Sequence, residues 1–160
     1  MPAVPRMTTE VESEFLAQPH VGVLATLRRD GRPYTVPVWF FHHEGSFWIT
    51  GTYERVWCRQ LLADPRASLC VEAVEPVAGH VGVDGRVVAR ELPQFDIWPI
   101  SRSLVDKYLP PEGRDAFFAN MQTEHRLLFE LVPEVRRAID MRVYRGKRGD
   151  REYQSGGRTG

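Results

Sequence analysis

The residue types best suited to chemistry occur in one short stretch of the chain, where threonines lead into an arginine-bearing segment. Thr50 and Thr52 come just before a predicted helix over 54–63, on which Arg55 and Arg59 lie one turn apart and share a face. Hydroxyl groups, free amides at a helix N-terminus and two guanidinium groups can together neutralise a phosphate. The stretch therefore predicts an anion-binding pocket.

The same spacing also has a plainer interpretation. Arg55 and Arg59 can be solvated helix residues that pair with the nearby carboxylates of Glu54 or Asp64. Spacing alone favours this second interpretation slightly, because charged residues on short helices usually face water. The residues by themselves leave both interpretations open.

Pro37 is a second unusual feature, because it lies within a predicted strand over 34–42. Proline has no amide to donate to a sheet, so it marks an edge, a bulge or a place where the backbone faces something other than a strand. The next predicted strand, over 47–50, follows across a turn and ends at the threonines. We therefore expect the interrupted strand and the anion-binding segment to lie side by side.

Other reaction classes lack their motifs in this sequence. It contains no HExxH, no GxSxG, no P-loop and no glycine-rich dinucleotide turn. His42 and His43 would point to opposite sides of a strand, so they are not expected to share a metal ion. Cys58 and Cys70 match neither a disulfide framework nor a zinc site and are predicted to be buried reduced thiols. No metal site is predicted.

Periodicity predicts short strands with a few helices. Predicted helices cover 8–18, 54–63, 100–108 and 113–121, and predicted strands cover 21–27, 34–42, 47–50, 67–74, 82–90, 126–132 and, as a possible seventh, 138–144. Asp30–Gly31 indicates a hairpin turn, Gly51 ends the third strand, and Asp84–Gly85 marks a bulge. Such strands favour a small antiparallel barrel, since closure removes exposed edges.

Length and charge limit the remaining possibilities. The 160 residues have the size of one domain, predicted over 1–144, followed by a flexible polar tail over 145–160. Basic and acidic residues number 21 each, so no overall field attracts nucleic acid or an anionic membrane. Nucleic-acid binding through the basic stretch 136–151 is an alternative that the lack of interleaved aromatic residues beyond Tyr144 disfavours. No apolar run is long enough for a membrane span, and the protein is expected in the cytoplasm.

The segments LATLRRDGRPYTVPVWFFHHEGSFWITG, DPRASLCVE and VGVDGRVV, with the arginine-bearing helix between the first two, resemble the pyridoxamine-phosphate-oxidase-like split-barrel family of flavin and deazaflavin oxidoreductases. The resemblance extends from about Val21 to Arg90 and is strongest to the branch that uses the deazaflavin coenzyme F420. It implies a mainly β fold, a six- to seven-stranded antiparallel split β-barrel with short helices. It also implies a homodimer with the cofactor at the interface.

The resemblance also assigns cofactor-binding roles. The backbone of the second strand would lie along the cofactor ring, the end of the third strand and the next helix would hold its phosphate, and an amide would replace the family's asparagine. These positions are Val36, Pro37, Val38 and Trp39 for the ring, Thr50, Thr52, Arg55 and Arg59 for the phosphate, and Gln60 for the amide. Trp57 replaces a lysine of the family pattern and is expected to fill the dimer interface or to stack on the cofactor.

The function implied is a reductase that transfers hydride from coenzyme F420 to a small apolar conjugated substrate. An FMN-dependent oxidase or reductase is one alternative, and a non-enzymatic small-molecule-binding barrel is another. No catalytic residue is assigned, because the cofactor carries the chemistry; Tyr53, His42 and Tyr108 are candidate proton donors. The segment 93–121 would either wall a substrate pocket or cap the barrel.

Overall fold

The computed structural model describes residues 3–144, which form seven strands and four helices. In chain order these are α1 (Thr9–Ala17), β1 (Gly22–Leu27), β2 (Pro33–Val38), β3 (Phe41–His43), β4 (Ser46–Thr52), α2 (Val56–Ala63), β5 (Arg66–Ala73), β6 (Gly79–Arg90), α3 (Trp98–Tyr108), α4 (Pro111–Met121) and β7 (Arg126–Asp140). Among these residues, no helix is both long and apolar enough to cross a membrane.

The seven strands form one antiparallel sheet in the order β2-β1-β5-β6-β7-β4-β3. The two edge strands, β2 and β3, are consecutive in the chain and are separated by Trp39 and Phe40 alone. Three Cα–Cα steps span at most about 11 Å, so the two edges must approach each other. The sheet therefore curls into the expected split barrel, with Pro37 in an edge strand.

The predicted strand over 34–42 is in fact two strands, because the chain changes partner between them. Val38 ends the pairing with β1, and Phe41 begins the pairing with β4. At Phe40 between them, the amide donates to the Tyr108 hydroxyl (3.2 Å) and the carbonyl accepts from Lys107 Nζ (2.9 Å). Two side chains of α3 thus satisfy buried backbone groups that would otherwise need a neighbouring strand.

The last two predicted strands, 126–132 and 138–144, are one strand, β7. Pro133 does not end it, because it lies opposite Gly85 at the register shift between Asp84 and Gly85. A bulge tolerates the missing proline amide, and a side chain at Gly85 would collide with the carbonyl of Val132. The predicted bulge is confirmed, and it explains why β7 continues.

Gly51 and Trp57 depart from their predicted roles together. Gly51 does not end a strand but lies within β4, where a Cβ atom would meet Cys58 Sγ and, at 2.7 Å, Trp57 Cη2. Trp57 is 6% exposed and contacts Phe129 inside the barrel, with ring centroids 5.8 Å apart. The indole therefore fills the core, and the predicted interface and stacking roles were wrong.

The thiols of Cys58 and Cys70 differ in their exposure to solvent. Burial raises the pKa of Cys58 to about 12, so this thiol is inert at neutral pH. Cys70 is exposed, because strand alternation points it away from the core, and its predicted burial was wrong.

Helix α3 covers the outside of β4 and β7, and α4 packs against α3. A second apolar cluster joins α3 to the sheet and contains Trp48, Ile97, Leu104 and Leu128. The segment 93–121 thus caps the barrel, and some of its residues also face a cavity described below.

Candidate functional site

A cavity of about 410 Å³ lies where the end of β2, the end of β4 and the helices α3 and α4 meet. Its lining residues are Val21, Pro37, Val38, Trp39, Thr50, Gly51, Thr52, Arg55, Leu104, Val105, Phe117, Met121 and Arg126. Six of the nine residues predicted to bind a cofactor are in this set. The two chain segments expected to lie side by side are therefore brought to one cavity.

The first wall is the end of β2. Pro37 is exposed there, and its ring replaces the amide that an edge strand would otherwise present to a neighbour. The Trp39 indole stacks on Tyr108, with ring centroids 4.9 Å apart and 2° between the planes. Phe117 of α4 lies on this side too, 6.2 Å from the Trp39 ring. The wall is apolar and partly aromatic, which suits a planar ligand.

The second wall is polar and comes from β4 and β7. Thr52 lies directly opposite Arg126 in the β4–β7 register. Thr50 Oγ1 donates to the carbonyl of Leu127 (3.3 Å) and accepts from Arg126 Nη1 (3.4 Å). Arg126 Nη2 lies 2.5 Å from Glu124 Oε2. Hydroxyls and a guanidinium therefore line one side of the cavity.

Arg55 is the N-cap residue of α2 rather than a residue of its first turn. Within residues 3–144 no side chain caps this helix, so its first amides keep their capacity to bind an anion. The Arg55 side chain is exposed and lines the cavity. Arg55 therefore adds positive charge to the same end as the threonines.

Arg126 was not found by sequence reasoning. It is 74 residues from Thr52 and joins the cavity only because β7 pairs with β4. A basic residue at the start of a strand carries no local signal for such a role. Knowledge of the strand order would have been needed to place it.

Three predicted binding residues lie outside the cavity lining. Val36 points to the opposite side of β2 from Pro37 and is half-buried against the core. Arg59 and Gln60 line a separate surface depression beside Arg28, because Arg55 precedes the helix and does not share its face. The expected grouping of Arg55 with Arg59 is therefore absent.

Gln60 also has a partner that explains its position. Its Oε1 accepts from the hydroxyl of Thr26 at 2.6 Å, and Thr26 is 1% exposed. A buried hydroxyl without a partner costs about 1–3 kcal/mol, so this amide stabilises the barrel. The hydrogen bond is structural.

The candidate proton donors Tyr53, His42 and Tyr108 do not line the cavity. The Tyr53 hydroxyl donates to Glu91 (2.7 Å), a bond that raises the pKa of the phenol. Burial, with the positive charge of Arg136, lowers the pKa of His42 to about 4. Burial raises the pKa of Tyr108 to about 12. In the described chain, 3–144, no three His, Cys, Asp or Glu side chains are placed to hold a metal ion.

A family model for pyridoxamine 5'-phosphate oxidase matches residues 8–138. The chain belongs to the pyridoxamine 5'-phosphate oxidase family. Membership confirms the resemblance inferred from the sequence, and the match includes both walls of the cavity. The comparison with curated proteins finds no match.

Solved structures similar to this family member share its fold. The conserved hypothetical protein Rv2991 from Mycobacterium tuberculosis is 22% identical with a TM-score of 0.74, and the alignment covers 100% of this chain and 99% of that one. An F420 reductase is 23% identical with a TM-score of 0.59, covering 78% and 94%. The heme storage protein HutZ from Vibrio cholerae is 20% identical with a TM-score of 0.64, covering 81% and 92%.

Proposed function

We propose that this protein is an oxidoreductase that binds coenzyme F420 in the cavity and transfers hydride to a small apolar conjugated molecule. The observation that carries the proposal is the convergence of the Pro37–Trp39 wall and the Thr50–Arg55 segment on one cavity. In this proposal the ring lies along the first wall and the phosphate meets Thr50, Thr52 and Arg55. Family membership supports the chemistry.

The residues present fit such a group. A phosphate is held well by hydroxyls and guanidinium groups, and both line one end of the cavity, where Arg55 immediately precedes the first residue of α2. Leu104, Val105, Phe117 and Met121 make the opposite wall apolar. A ligand with a planar apolar ring and an anionic tail matches this division.

When bound, a deazaflavin or flavin ring supplies the hydride chemistry, and the protein supplies position and environment. In this proposal Arg55 and the first amides of α2 neutralise the anionic tail. Pro37 and Trp39 fix the plane of the ring, and Phe117 and Met121 exclude water from its neighbourhood. No side chain is required to hold or move a proton in this account.

The homodimer implied by the resemblance is part of the proposal. On the outer face of the sheet, Pro37, Val23 and Cys70 lie opposite one another on β2, β1 and β5, and all three are exposed. This row is next to Val21, which is 49% exposed and lines the cavity. A second copy of this chain that covers the row would also close the cavity. The substitution Val23→Glu should then yield a monomer in light-scattering measurements.

FMN is the alternative coenzyme, since its planar ring and phosphate make the same demands on the cavity. Titration of the apoprotein with each coenzyme separates them. We expect F420 to bind more tightly than FMN, because the sequence resembles most strongly the branch that uses F420. Tighter binding of FMN would identify FMN as the coenzyme, with the proposed binding site unchanged.

A non-enzymatic binding protein is the second candidate. It is favoured by the similarity to a heme storage protein. Oxidation of reduced F420 by a panel of conjugated acceptors tests the difference. Acceptor-dependent oxidation that exceeds the rate without protein supports the enzyme, and tight binding without turnover supports the binding protein.

A further inference from the structure

Arg126 is partly buried in the wall of the cavity and is incompletely bonded. Its side chain is 15% exposed, and its Nε is buried without a hydrogen-bond partner among residues 3–144. Its Nη1 reaches Thr50 Oγ1 only at 3.4 Å, near the limit for a hydrogen bond. The Nε atom is enclosed by protein and out of a ligand's reach, whereas the long contact of Nη1 leaves that nitrogen capacity for a further acceptor.

The strong partner of Arg126 is a nearby carboxylate. Glu124 precedes it by two residues, lies in the turn between α4 and β7, and is 38% exposed. An exposed carboxylate in a turn can move into water at little cost, because a partly exposed ion pair contributes little free energy. Glu124 is thus placed to neutralise Arg126 when no other anion is present.

Arg126 and Arg55 act on the same end of the cavity. Both side chains line the cavity, Arg55 shortly after the end of β4 and Arg126 opposite Thr52 in the β4–β7 register. Arg55 is exposed whereas Arg126 is partly buried, so the cavity has one outer and one inner cation. A single phosphate at Arg55 would leave the inner cation to be neutralised separately.

We propose that Arg126 binds a second anionic group of the cavity's ligands, a carboxylate or phosphate oxygen, and that Glu124 is an internal anion which this group displaces. The inference rests on the proposed function for the identity of the site. It adds a second cation to the recognition of the ligand. The anionic group can belong to the coenzyme's side chain or to the substrate.

Four variants test this proposal. Arg126→Met removes the cation, and Arg126→Lys keeps a charge without the planar fork of donors. Glu124→Gln removes the internal anion at an exposed position. Arg86→Met is the matched control, because Arg86 is also a strand arginine with a carboxylate partner, Glu134, and does not line the cavity. Thermal unfolding of each variant checks that it is folded.

Each variant is titrated with two pairs of probes by calorimetry. The coenzyme pair is F420 and its deazaflavin core without phosphate and carboxylates. The substrate pair is benzoate and benzamide, which are equally planar but differ in charge. In at least one pair, we expect Arg126→Met to weaken binding of the anionic probe about 10- to 100-fold, which is the effect of losing a charge-assisted hydrogen bond. Binding of the neutral probe should be unchanged. The affinity of Arg126→Lys for the anionic probe should lie between those of the wild type and Arg126→Met. Glu124→Gln should bind the anionic probe several-fold more tightly than the wild type does.

The pair that responds identifies the source of the anion. Equal weakening of anionic and neutral probes in Arg126→Met, or no change in either pair, would overturn the proposal. Should Arg126→Met not fold, an unchanged affinity of both anionic probes for Glu124→Gln and Arg126→Lys would overturn it instead. If neither F420 nor its core binds the wild-type protein, the proposed function fails, and benzoate against benzamide still tests Arg126. If the variants then bind benzoate and benzamide with the same affinities as the wild type, the inference is overturned too.

Discussion

The indole ring of Trp39 lies parallel to the phenol ring of Tyr108, with 4.9 Å between centroids and 2° between planes. Trp39 is in the link that joins the two edges of the sheet, and Tyr108 ends α3. The same phenol hydroxyl accepts from the Phe40 amide and donates to the His20 carbonyl at 2.7 Å. One residue of α3 thus fixes the gap in the barrel and supports an aromatic wall of the cavity.

Removal of the Tyr108 hydroxyl should destabilise the fold without removing this stack. Tyr108→Phe keeps the ring but leaves the buried Phe40 amide and the His20 carbonyl without this partner. We expect the free energy of unfolding to fall by about 1–3 kcal/mol in urea denaturation. Lys107 still bonds the Phe40 carbonyl, so the fold should survive. An unchanged free energy of unfolding would show that the hydroxyl does not stabilise the backbone at Phe40 between β2 and β3.

Local signals in the sequence were sufficient for much of the fold. Thr8 caps α1 through a bond from the Val11 amide (3.2 Å), and Gly31 has the positive φ of 82° that its turn requires. These features depend on neighbours a few residues apart. The bulge at Asp84/Gly85 belongs with them.

Features that depend on distant contacts were not predictable. The break at Phe40 arises from Lys107 and Tyr108, 67 and 68 residues further along the chain. Arg126 enters the cavity only through the pairing of β4 with β7. Trp57 was assigned to the dimer interface or the cofactor because the family pattern has a lysine there, and local spacing does not show that Phe129, 72 residues further along the chain, packs against the indole.

Gln60 should matter for stability and not for coenzyme binding. Gln60→Leu leaves the hydroxyl of Thr26 buried without an acceptor, which should lower the free energy of unfolding by about 1–3 kcal/mol. Chemical denaturation measures this change, and calorimetric titration should give an unchanged affinity for F420. The double variant Thr26→Val with Gln60→Leu should recover part of the loss, because neither polar group remains. A weakened affinity with unchanged stability would assign Gln60 to the site after all.

Trp57 should tolerate neither truncation nor the lysine that the family pattern favours. Trp57→Ala opens a cavity beside Phe129 and should cost about 3–5 kcal/mol. Trp57→Lys should cost at least as much, because it also buries a charge. Thermal unfolding measures both losses, with Trp57→Phe as the milder control. A Trp57→Lys variant as stable as the wild type would contradict the core position.

Stability should decline in mild acid because of His42. Burial comes first among the causes that lower its pKa to about 4, followed by the charges of Arg136, Lys107 and His43. Since the folded pKa is below the usual 6.5, the unfolded chain binds the proton more readily. The stabilisation is present above pH 6.5 and is lost as the pH falls through 4.

The variant His42→Gln isolates this effect, since its amide oxygen can still accept from Arg136. From pH 7 to pH 5, the free energy of unfolding should fall less for this variant than for the wild type. A smaller decline should remain, because the pKa of His20 is also lowered by burial. An identical decline in both proteins would assign the pH dependence to other groups.

In the proposed complex, Arg55 holds the anionic tail of a redox coenzyme in the cavity between β2 and β4. The most direct measurement is the dissociation constant of F420 for the wild type, Arg55→Ala and Arg59→Ala at constant ionic strength. The two arginines are exposed and four residues apart, but only Arg55 lines the cavity, so Arg59→Ala is a matched control. Arg55→Ala should weaken binding about 10- to 100-fold, and Arg59→Ala should change it less than about 2-fold. Equal effects of the two substitutions, or no binding to the wild type, would contradict this role of Arg55.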